Sequence, residues 1–276
     1  PDLQQELMTD LNEIAEFLKT KTPKPGAAMS FNFLTPEGFE SFTYSWATNR
    51  QLDGSKKLTI LDHLGGTPIG VYAARGIVKQ DADDKLMHDR TRGIYPAEQI
   101  GLMQAPPEDQ TVYQRLRTEF APLLTQMGTV TRDKLFPAFQ DGQSALVLDA
   151  DTTSPAWFMA MPPAETGLPM LEIGIVSGLS DAPRLKEAFS DYFDLVQQAI
   201  NKLNELSTGD MADVFPEEIP AFPLAKPQSR DFGDGTVYYY ALPADALLDE
   251  QIAPNAGLTD EVLVASLLPK FTARLI

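Results

Sequence analysis

The densest group of metal-ligating side chains lies in one polar segment, residues 79–93. Four of its residues are candidate ligands for a metal ion: Asp81, Asp83, Asp84 and His88. Asp89 directly follows the last of them. Carboxylate oxygens of this kind bind calcium or magnesium, but the segment lacks a glycine where a calcium-binding loop must bend. A run of charged residues also suits a solvated loop. The sequence favours the solvated loop and leaves a cation site as the alternative.

Residues for the other common kinds of site are scarce. The chain has no cysteine, which excludes disulfides, thiolate nucleophiles and cysteine zinc sites. Its two histidines are His63 and His88, and no serine nucleophile elbow accompanies either one. His63 lies in a short helical segment beside Leu64, where a structural or surface role is favoured. The chain has no phosphate-binding or dinucleotide-binding loop, so the sequence predicts no cofactor.

Two aspartates follow a short apolar run, in the segment Asp149-Ala-Asp151-Thr-Thr153. This segment resembles the first motif of the haloacid-dehalogenase-like phosphohydrolases. The resemblance implies that Asp149 is a nucleophile, that Asp151 is an acid and base, and that magnesium bridges Asp149 to the phosphate. It also implies that Ser177, which closes a later apolar strand, binds the phosphate.

The remaining motifs stand in the order of that family, but their setting differs from it. Lys186 or Lys202 would supply a cation, and Gly209-Asp-Met-Ala-Asp213 would be the acidic motif. That motif should follow a strand, yet it directly follows a predicted helix. A parallel crossover needs a helix, and the segment between Asp149 and Ser177 leaves no room for one. The aspartates are more simply turn formers that end a strand, so the phosphohydrolase remains an alternative.

Three predicted strands and one long helix must position these residues. Apolar runs bounded by turn formers indicate strands at 143–149, 156–161 and 171–177. Ser180 and Asp181 can cap the helix that follows, and its first turn tolerates Pro183. The apolar residues of this helix are spaced by three or four and form one stripe: Leu185, Phe189, Tyr192, Val196, Ile200, Leu203 and Leu206. A stripe of this kind needs a sheet to cover.

The rest of the chain also alternates helices and strands. Helical spacing of apolar residues predicts helices at 2–19 and 108–127, and shorter ones at 58–64 and 131–139. Period-two alternation predicts further strands: 28–34, 39–47, 68–74, 236–242 and 261–266. In the second of these, Phe42, Tyr44 and Trp46 are expected to be core residues rather than a ligand platform. Asp234-Gly235 is a predicted hairpin turn.

These elements predict an α+β fold with a largely antiparallel sheet and long helices packed on one face. We divide the chain into a helix and linker (1–26), a main unit (27–213), a proline-rich connector (214–228) and a second β unit (229–276). The blocks 172–179 and 261–268 each contain an acid, a branched strand and a serine. Either they form an internal repeat or the likeness is chance. A repeat would make Pro269 the start of a second long helix, continued in a longer parent protein.

Composition limits the class of partner. The chain has 276 residues, of which 43% are hydrophobic, so it can bury a real core. Lys and Arg number 22 against 39 Asp and Glu, and the formal net charge of −17 repels phosphates and anionic lipid. We therefore expect no nucleic-acid partner. No run of 18 apolar residues occurs, so no membrane span is predicted.

The segment from Leu52 to Pro68, LDGSKKLTILDHLGGTP, resembles part of large exported proteins of uncharacterised function from planctomycete-like bacteria. The block from Glu261 to Ile276 is similar to their strand-then-helix segments. The resemblance implies export, for example to the periplasm, and brings no catalytic residues. The polar residues form no convergent site and the apolar ones form core stripes. The sequence therefore predicts a non-enzymatic exported domain that binds another protein or serves as a scaffold, and the alternative is a magnesium-dependent phosphohydrolase that uses Asp149 and Asp151.

Overall fold

The fold is known from a computed structural model. It describes residues 3–21, 26–36, 38–46, 52–78, 101–158, 160–209, 211–212, 214–215, 219–243 and 246–276. The chain forms two compact units, one of residues 1–53 and 79–111 and one of residues 54–78 and 112–276. Within the described residues, no helix is both long and apolar enough to cross a membrane.

The first unit contains a helix and a two-stranded hairpin. Helix α1 is Leu3–Lys21, and strand β1 (Ala28–Thr35) pairs with β2 (Gly38–Ser45) in antiparallel register. All three elements lie within two residues of their predicted bounds. Their periodicities of 3.6 and 2 are local properties of the sequence, which is why these elements can be predicted from short windows.

The aromatic face of this hairpin is exposed. The register places Phe31 opposite Phe42 on one face, while the hydroxyls of Ser30 and Thr43 lie 2.9 Å apart on the other. The side chains of Phe42 and Trp46 are 49% and 55% exposed. The alternation was therefore predicted correctly, but the expectation that these aromatic residues form a core is wrong.

The described residues of the second unit contain nine strands. Their bounds are as follows: β3 Gly70–Arg75, β4 Gln143–Asp149, β5 Thr153–Ser154, β6 Leu168–Pro169, β7 Glu172–Gly178, β8 Gln228–Phe232, β9 Gly235–Tyr239, β10 Asn255–Leu258 and β11 Val262–Ser266. Seven of them form one sheet in the order β3-β4-β7-β11-β10-β9-β8, and every neighbouring pair is antiparallel. Strands β5 and β6 form a small separate pair. The predicted α+β class with a largely antiparallel sheet is confirmed.

Among the described residues, three further α-helices have these bounds: α2 Pro107–Val130, α3 Ala182–Thr208 and α4 Pro269–Leu275. Helix α2 continues into a π-helical segment, Thr131–Leu135, and then one α-helical turn, Phe136–Ala138. A 3₁₀ helix, Thr59–Asp62, precedes β3. As predicted, Asp181 caps α3, because its carboxylate accepts a hydrogen bond from the Arg184 backbone N–H at 3.0 Å.

One face of the sheet, which we call the covered face, carries the main core. Val147, Val176 and Val264 lie on this face with no measurable exposure, under α4 and the 3₁₀ helix. The approach of α4 is very close, since a Cβ atom on Gly174 would lie 2.5 Å from Leu275 Cδ1. Only glycine at that position lets the helix reach the strand.

The opposite side of the sheet is buried at one end only. There the first turns of α3 bring Ala182 and Leu185 against Leu258 and the partly buried Leu263. Further along this side of the sheet five residues are exposed, and we call them the open face: Tyr72, Leu146, Ile173, Ile175 and Ala265. The long predicted helix is thus packed on the sheet by its beginning rather than along its whole stripe, and Phe189 and Val196 are 48% and 46% exposed.

Several predicted boundaries need correction. The predicted strand at 156–161 is absent from its described residues, apart from a single bridge between Phe158 and Leu248. The hairpin between β8 and β9 turns at Gly233-Asp234, one residue before the predicted position, and Gly233 has a φ of +54°. Strands β8 to β11 join the same sheet as β4 and β7, so the connector at 214–228 separates two runs of strands within one sheet.

The proposed internal repeat is not supported by its own alignment. Strands β7 and β11 are neighbours at the centre of the sheet. The alignment makes Ile173 equivalent to Val262, but Ile173 is 46% exposed on the open face and Val262 is 2% exposed on the covered face. A shift of one residue exchanges the faces of a strand. The repeat stays a prediction.

Candidate functional site

The two predicted catalytic aspartates lie at the end of β4, beside the start of β7. Asp149 is paired across the two strands with Glu172. Glu172 has no exposure and Asp149 is 4% exposed, whereas the side chain of Asp151 is 73% exposed. Two buried carboxylates side by side repel each other, so this position requires a cation.

That cation is Arg274 of α4. Its Nη2 lies 2.5 Å from Glu172 Oε2 and 3.2 Å from Asp149 Oδ2, and its Nη1 lies 2.5 Å from Asp151 Oδ2. The guanidinium also lies over the ring of Phe271, 5.1 Å from the ring centroid. We call Asp149, Asp151, Glu172 and Arg274 the Arg274 cluster.

Backbone and hydroxyl donors also bind the two buried carboxylates of this cluster, Glu172 and Asp149. Glu172 accepts hydrogen bonds from the Asp151 N–H at 3.0 Å and from the Thr152 hydroxyl at 2.5 Å. Asp149 accepts one from the Ala150 N–H at 2.9 Å. Buried charges held in this way are typical of a structural ion pair. The cluster therefore fastens α4 to the ends of β4 and β7 and leaves little carboxylate capacity for a metal.

Two central residues of the Arg274 cluster, Glu172 and Arg274, are not predicted as site residues from the sequence. In the sequence, Glu172 is identified only as the acid of the block 172–179. Glu172 and Arg274 are 102 residues apart, so no local pattern connects them. The one available signal was an acid at the first position of a buried strand, where an unpaired charge would be costly.

The structure does not bring Ser177 to the aspartates. Ser177 pairs with Ser144, five residues along β7 from Glu172, which is about 17 Å at the usual rise of a strand. It also points to the side of the sheet opposite Asp149, since strand residues alternate. The arrangement implied by the phosphohydrolase resemblance is therefore not assembled in this antiparallel sheet.

The other residues of that resemblance have separate positions. Lys186 is exposed on α3. Lys202 binds Glu119 of α2 at 3.0 Å and Glu205 at 3.4 Å, and these bonds raise the pKa of Lys202. Asp210 and Asp213 of the predicted acidic motif lie outside the described residues.

The predicted cation site falls on residues that the structure does not describe. Its candidate ligands all lie outside the described residues: Asp81, Asp83, Asp84, His88 and Asp89. Among the residues that are described, no three histidine, aspartate or glutamate side chains are grouped so that they could hold a metal ion.

His63, expected to be structural or on the surface, contacts the end of α4. Its Nδ1 lies 3.2 Å from the Leu275 carbonyl oxygen, and its Nε2 lies 4.0 Å from the exposed carboxylate of Glu261. The last carbonyls of a helix have no partner within the helix, so the imidazole can satisfy one of them. This contact links the 3₁₀ segment to α4.

One further carboxylate, Asp249, joins two loops beside the sheet. The hydroxyl of buried Ser154 donates a hydrogen bond to it, and the Gln251 N–H donates another at 2.8 Å. Burial raises the pKa of Asp249, but the hydrogen bonds from Ser154 and Gln251 outweigh burial and leave that pKa below its usual value. The arrangement stabilises the ionised form and holds the loops together.

Comparison of the chain with protein-family models, with curated proteins and with solved structures finds no match in any of the three.

Proposed function

We propose that this protein is a non-enzymatic, exported binding or scaffold domain that assembles with a second copy of itself through the open face. The observation that carries the proposal is the exposure of apolar side chains on neighbouring strands of the sheet. Tyr72 is 65% exposed, Ile175 53% and Ile173 46%. Contiguous exposed apolar surface of this kind is typical of interaction sites.

Four residues of the open face form one continuous row across four strands of the sheet. Tyr72 is opposite Leu146, Leu146 is opposite Ile175, and Ile175 is opposite Ala265. None of these residues is charged. Two identical faces can therefore meet without placing like charges in contact, although the chain as a whole carries a net charge of −17.

The exposed area is large enough for self-association. Leu171 lies next to the open face and continues the alternation of β7. Together with Leu171, the large side chains of the open face contribute most of the exposed apolar area: Tyr72, Leu146, Leu171, Ile173 and Ile175. Half-exposed side chains of this size expose about 100 Å² each, or about 1,000 Å² for two copies. That area reaches the lower limit of specific interfaces. Two twisted sheets can pack face to face about 10 Å apart with their side chains interdigitated.

Sedimentation velocity over a range of protein concentrations tests the assembly. We expect the wild-type protein to form a dimer in the micromolar range and Ile175→Asp to be a monomer, because the substitution places a charge at the centre of the open face. Tyr72→Lys, on an edge strand, provides a second variant that is less disruptive to folding.

The matched control is Leu124→Asp on α2, where Leu124 is 58% exposed. It introduces the same charge at an equally exposed apolar position outside the open face and should leave the dimer intact. A wild-type protein that remains a monomer, or dimers that persist in both Ile175→Asp and Tyr72→Lys, would overturn the proposed assembly.

The absence of enzymatic activity is tested separately. The proposal is supported by the Arg274 cluster, in which Asp149 and Glu172 already bind Arg274. We expect no turnover of p-nitrophenyl phosphate with magnesium. Turnover that disappears in Asp149→Asn, in a variant still folded by circular dichroism, would establish the phosphohydrolase instead.

Export is the part of the proposal that depends on sequence alone. Support comes from the absence of cysteine and from the resemblance of residues 52–68 to exported bacterial proteins. Fractionation of cells that express the full reading frame tests it, and we expect the protein outside the cytoplasm. Recovery in the cytoplasmic fraction would contradict export without affecting the proposed assembly.

A further inference from the structure

A cavity of about 370 Å³ lies on the side of the covered face, next to α4. Its floor is apolar and includes Val237, Ala253 and Leu268, which are buried. Its sides come from β8 and β9 and from the loop that carries Gln251. The cavity is thus separate from the open face, and it adjoins the Arg274 cluster at Thr152, whose hydroxyl binds Glu172. No role assigned so far uses the cavity itself.

Two cations line this cavity. Arg230 of β8 lies over the ring of Phe232, with its guanidinium carbon 5.1 Å from the ring centroid. Lys270 of α4 donates a hydrogen bond from Nζ to Gln251 Oε1 at 2.9 Å. An ammonium group has three N–H donors, so Lys270 keeps donors for another acceptor.

The charge of the cavity differs in sign from that of the whole chain. Its lining contains Arg230, Lys270 and one acid, Glu250, so the sum is two positive charges less one negative charge. The chain carries −17. Lys270 also attracts Asp249, which helps to lower the pKa of that carboxyl. Arg230, by contrast, has no ion pair among the described residues, and its planar fork of donors suits a carboxylate.

We propose that this cavity binds a small amphipathic carboxylate. The apolar part of the ligand would lie on Val237, Ala253 and Leu268, and its carboxylate would bind Arg230 and Lys270. Tyr239 supplies a further hydroxyl to the lining, whereas the proton of the Thr152 hydroxyl is already donated to Glu172. An apolar floor with a few converging polar groups is the usual composition of a small-molecule site.

The volume sets the size of the ligand. A cavity of 370 Å³ is at the small end of the range for ligand sites, so a molecule of about ten non-hydrogen atoms suits it. Octanoate has this size and carries a single negative charge at one end. It therefore serves as the probe, with 1-octanol as the neutral molecule of the same chain length.

Isothermal titration calorimetry with octanoate tests the proposal. We expect octanoate to bind the wild-type protein with one site per chain and more tightly than 1-octanol. Arg230→Gln should weaken binding about tenfold or more, because it removes a charge-assisted hydrogen bond. Glu250→Gln should tighten binding, because it removes the one negative charge of the lining.

The matched control is Lys186→Gln, which removes one exposed positive charge on α3, away from the cavity. It should bind octanoate as the wild type does. Three results would overturn the proposal: no heat of binding at millimolar octanoate, equal affinity for 1-octanol, or equal weakening by Arg230→Gln and Lys186→Gln. Each of these is independent of the oligomeric state and of phosphatase activity.

Discussion

The two faces of the seven-stranded sheet carry apolar residues in the same alternation, but one face is buried and the other is exposed. On β7, Val176 of the covered face has no exposure, whereas its neighbour Ile175 on the open face is 53% exposed. Both are branched apolar residues. The difference comes from what the chain places above them: α4 and the 3₁₀ helix pack on one face, and α3 reaches only one end of the other.

The comparison shows that apolar periodicity identifies a strand but does not identify which element, if any, packs on each of its faces. A strand with branched residues on both faces is suited to burial on both sides. The covered face meets this requirement within the described residues. The open face does not, and its side chains therefore have the composition of a core and the exposure of a surface.

The largest expected effect on stability comes from removing the charge of Arg274, which fastens α4 to the covered face. Arg274→Gln leaves Asp149 and Glu172 buried without their cation, and we expect a loss of about 3 kcal/mol in the free energy of unfolding, since Arg274 keeps some exposure. Urea denaturation measures it.

Two further variants sharpen this measurement. Arg184→Gln removes an exposed ion pair with Asp181 and should cost less than about 0.5 kcal/mol. The double variant Arg274→Gln with Glu172→Gln should recover part of the loss, because the buried negative charge is removed as well. Equal effects of the two arginine variants would show that the Arg274 cluster is not structural.

An intermediate effect is expected from Gly174→Ala, which tests how closely α4 approaches the covered face. The new Cβ would meet Leu275 Cδ1 at 2.5 Å and Phe271 Cε1 at 2.9 Å, and we expect a loss of about 2 kcal/mol. Gly54→Ala is the control, because no atom lies within 4 Å of its Cβ position.

On the open face, Ile175→Val in the monomeric Tyr72→Lys background should lower the free energy of unfolding by less than about 0.5 kcal/mol. Similar losses from Gly174→Ala and Ile175→Val would remove the contrast between the faces.

The smallest effect concerns the loops beside the covered face, joined by Ser154 and Asp249. The pKa of Asp249 is lower in the folded protein than in the unfolded chain. The ionised Asp249 therefore contributes its full stabilisation of the folded state above the unfolded pKa of about 3.9. This stabilisation is lost as the pH falls through the pKa of Asp249 in the folded protein. Thermal melting between pH 3 and pH 7 should show a shallower acid loss in Asp249→Asn than in the wild type. Identical slopes would exclude this contribution.

The sequence was a good guide to elements with a strong local signal. Strand β4 was predicted at its observed bounds, and β7 and α3 were predicted within two residues, since alternation, a helical stripe and the Asp181 cap are all short-range features. Strand β10 was missed because Asn255-Ala-Gly-Leu258 has little apolar periodicity. Its glycine is required by Thr272 of α4, which a Cβ on Gly257 would meet at 2.5 Å.

The candidate site could be predicted only in part. Asp149 and Asp151 were identified correctly as neighbours at the end of a strand. Their partner Arg274 follows Asp151 by 123 residues, and the cavity beside α4 combines strands and loops that no sequence pattern connects. Such arrangements are properties of the folded topology rather than of any window of sequence.

The position of α4 also determines when the protein can fold. Residues that α4 must meet lie far earlier in the chain: its contact with His63 spans 212 residues, and its contact with Glu172 spans 102. During synthesis, the ribosome releases β4 and β7 long before the helix that shields them. Nascent chains therefore carry both faces of these strands in water until α4, whose contacts are long-range in sequence, can cover one of them.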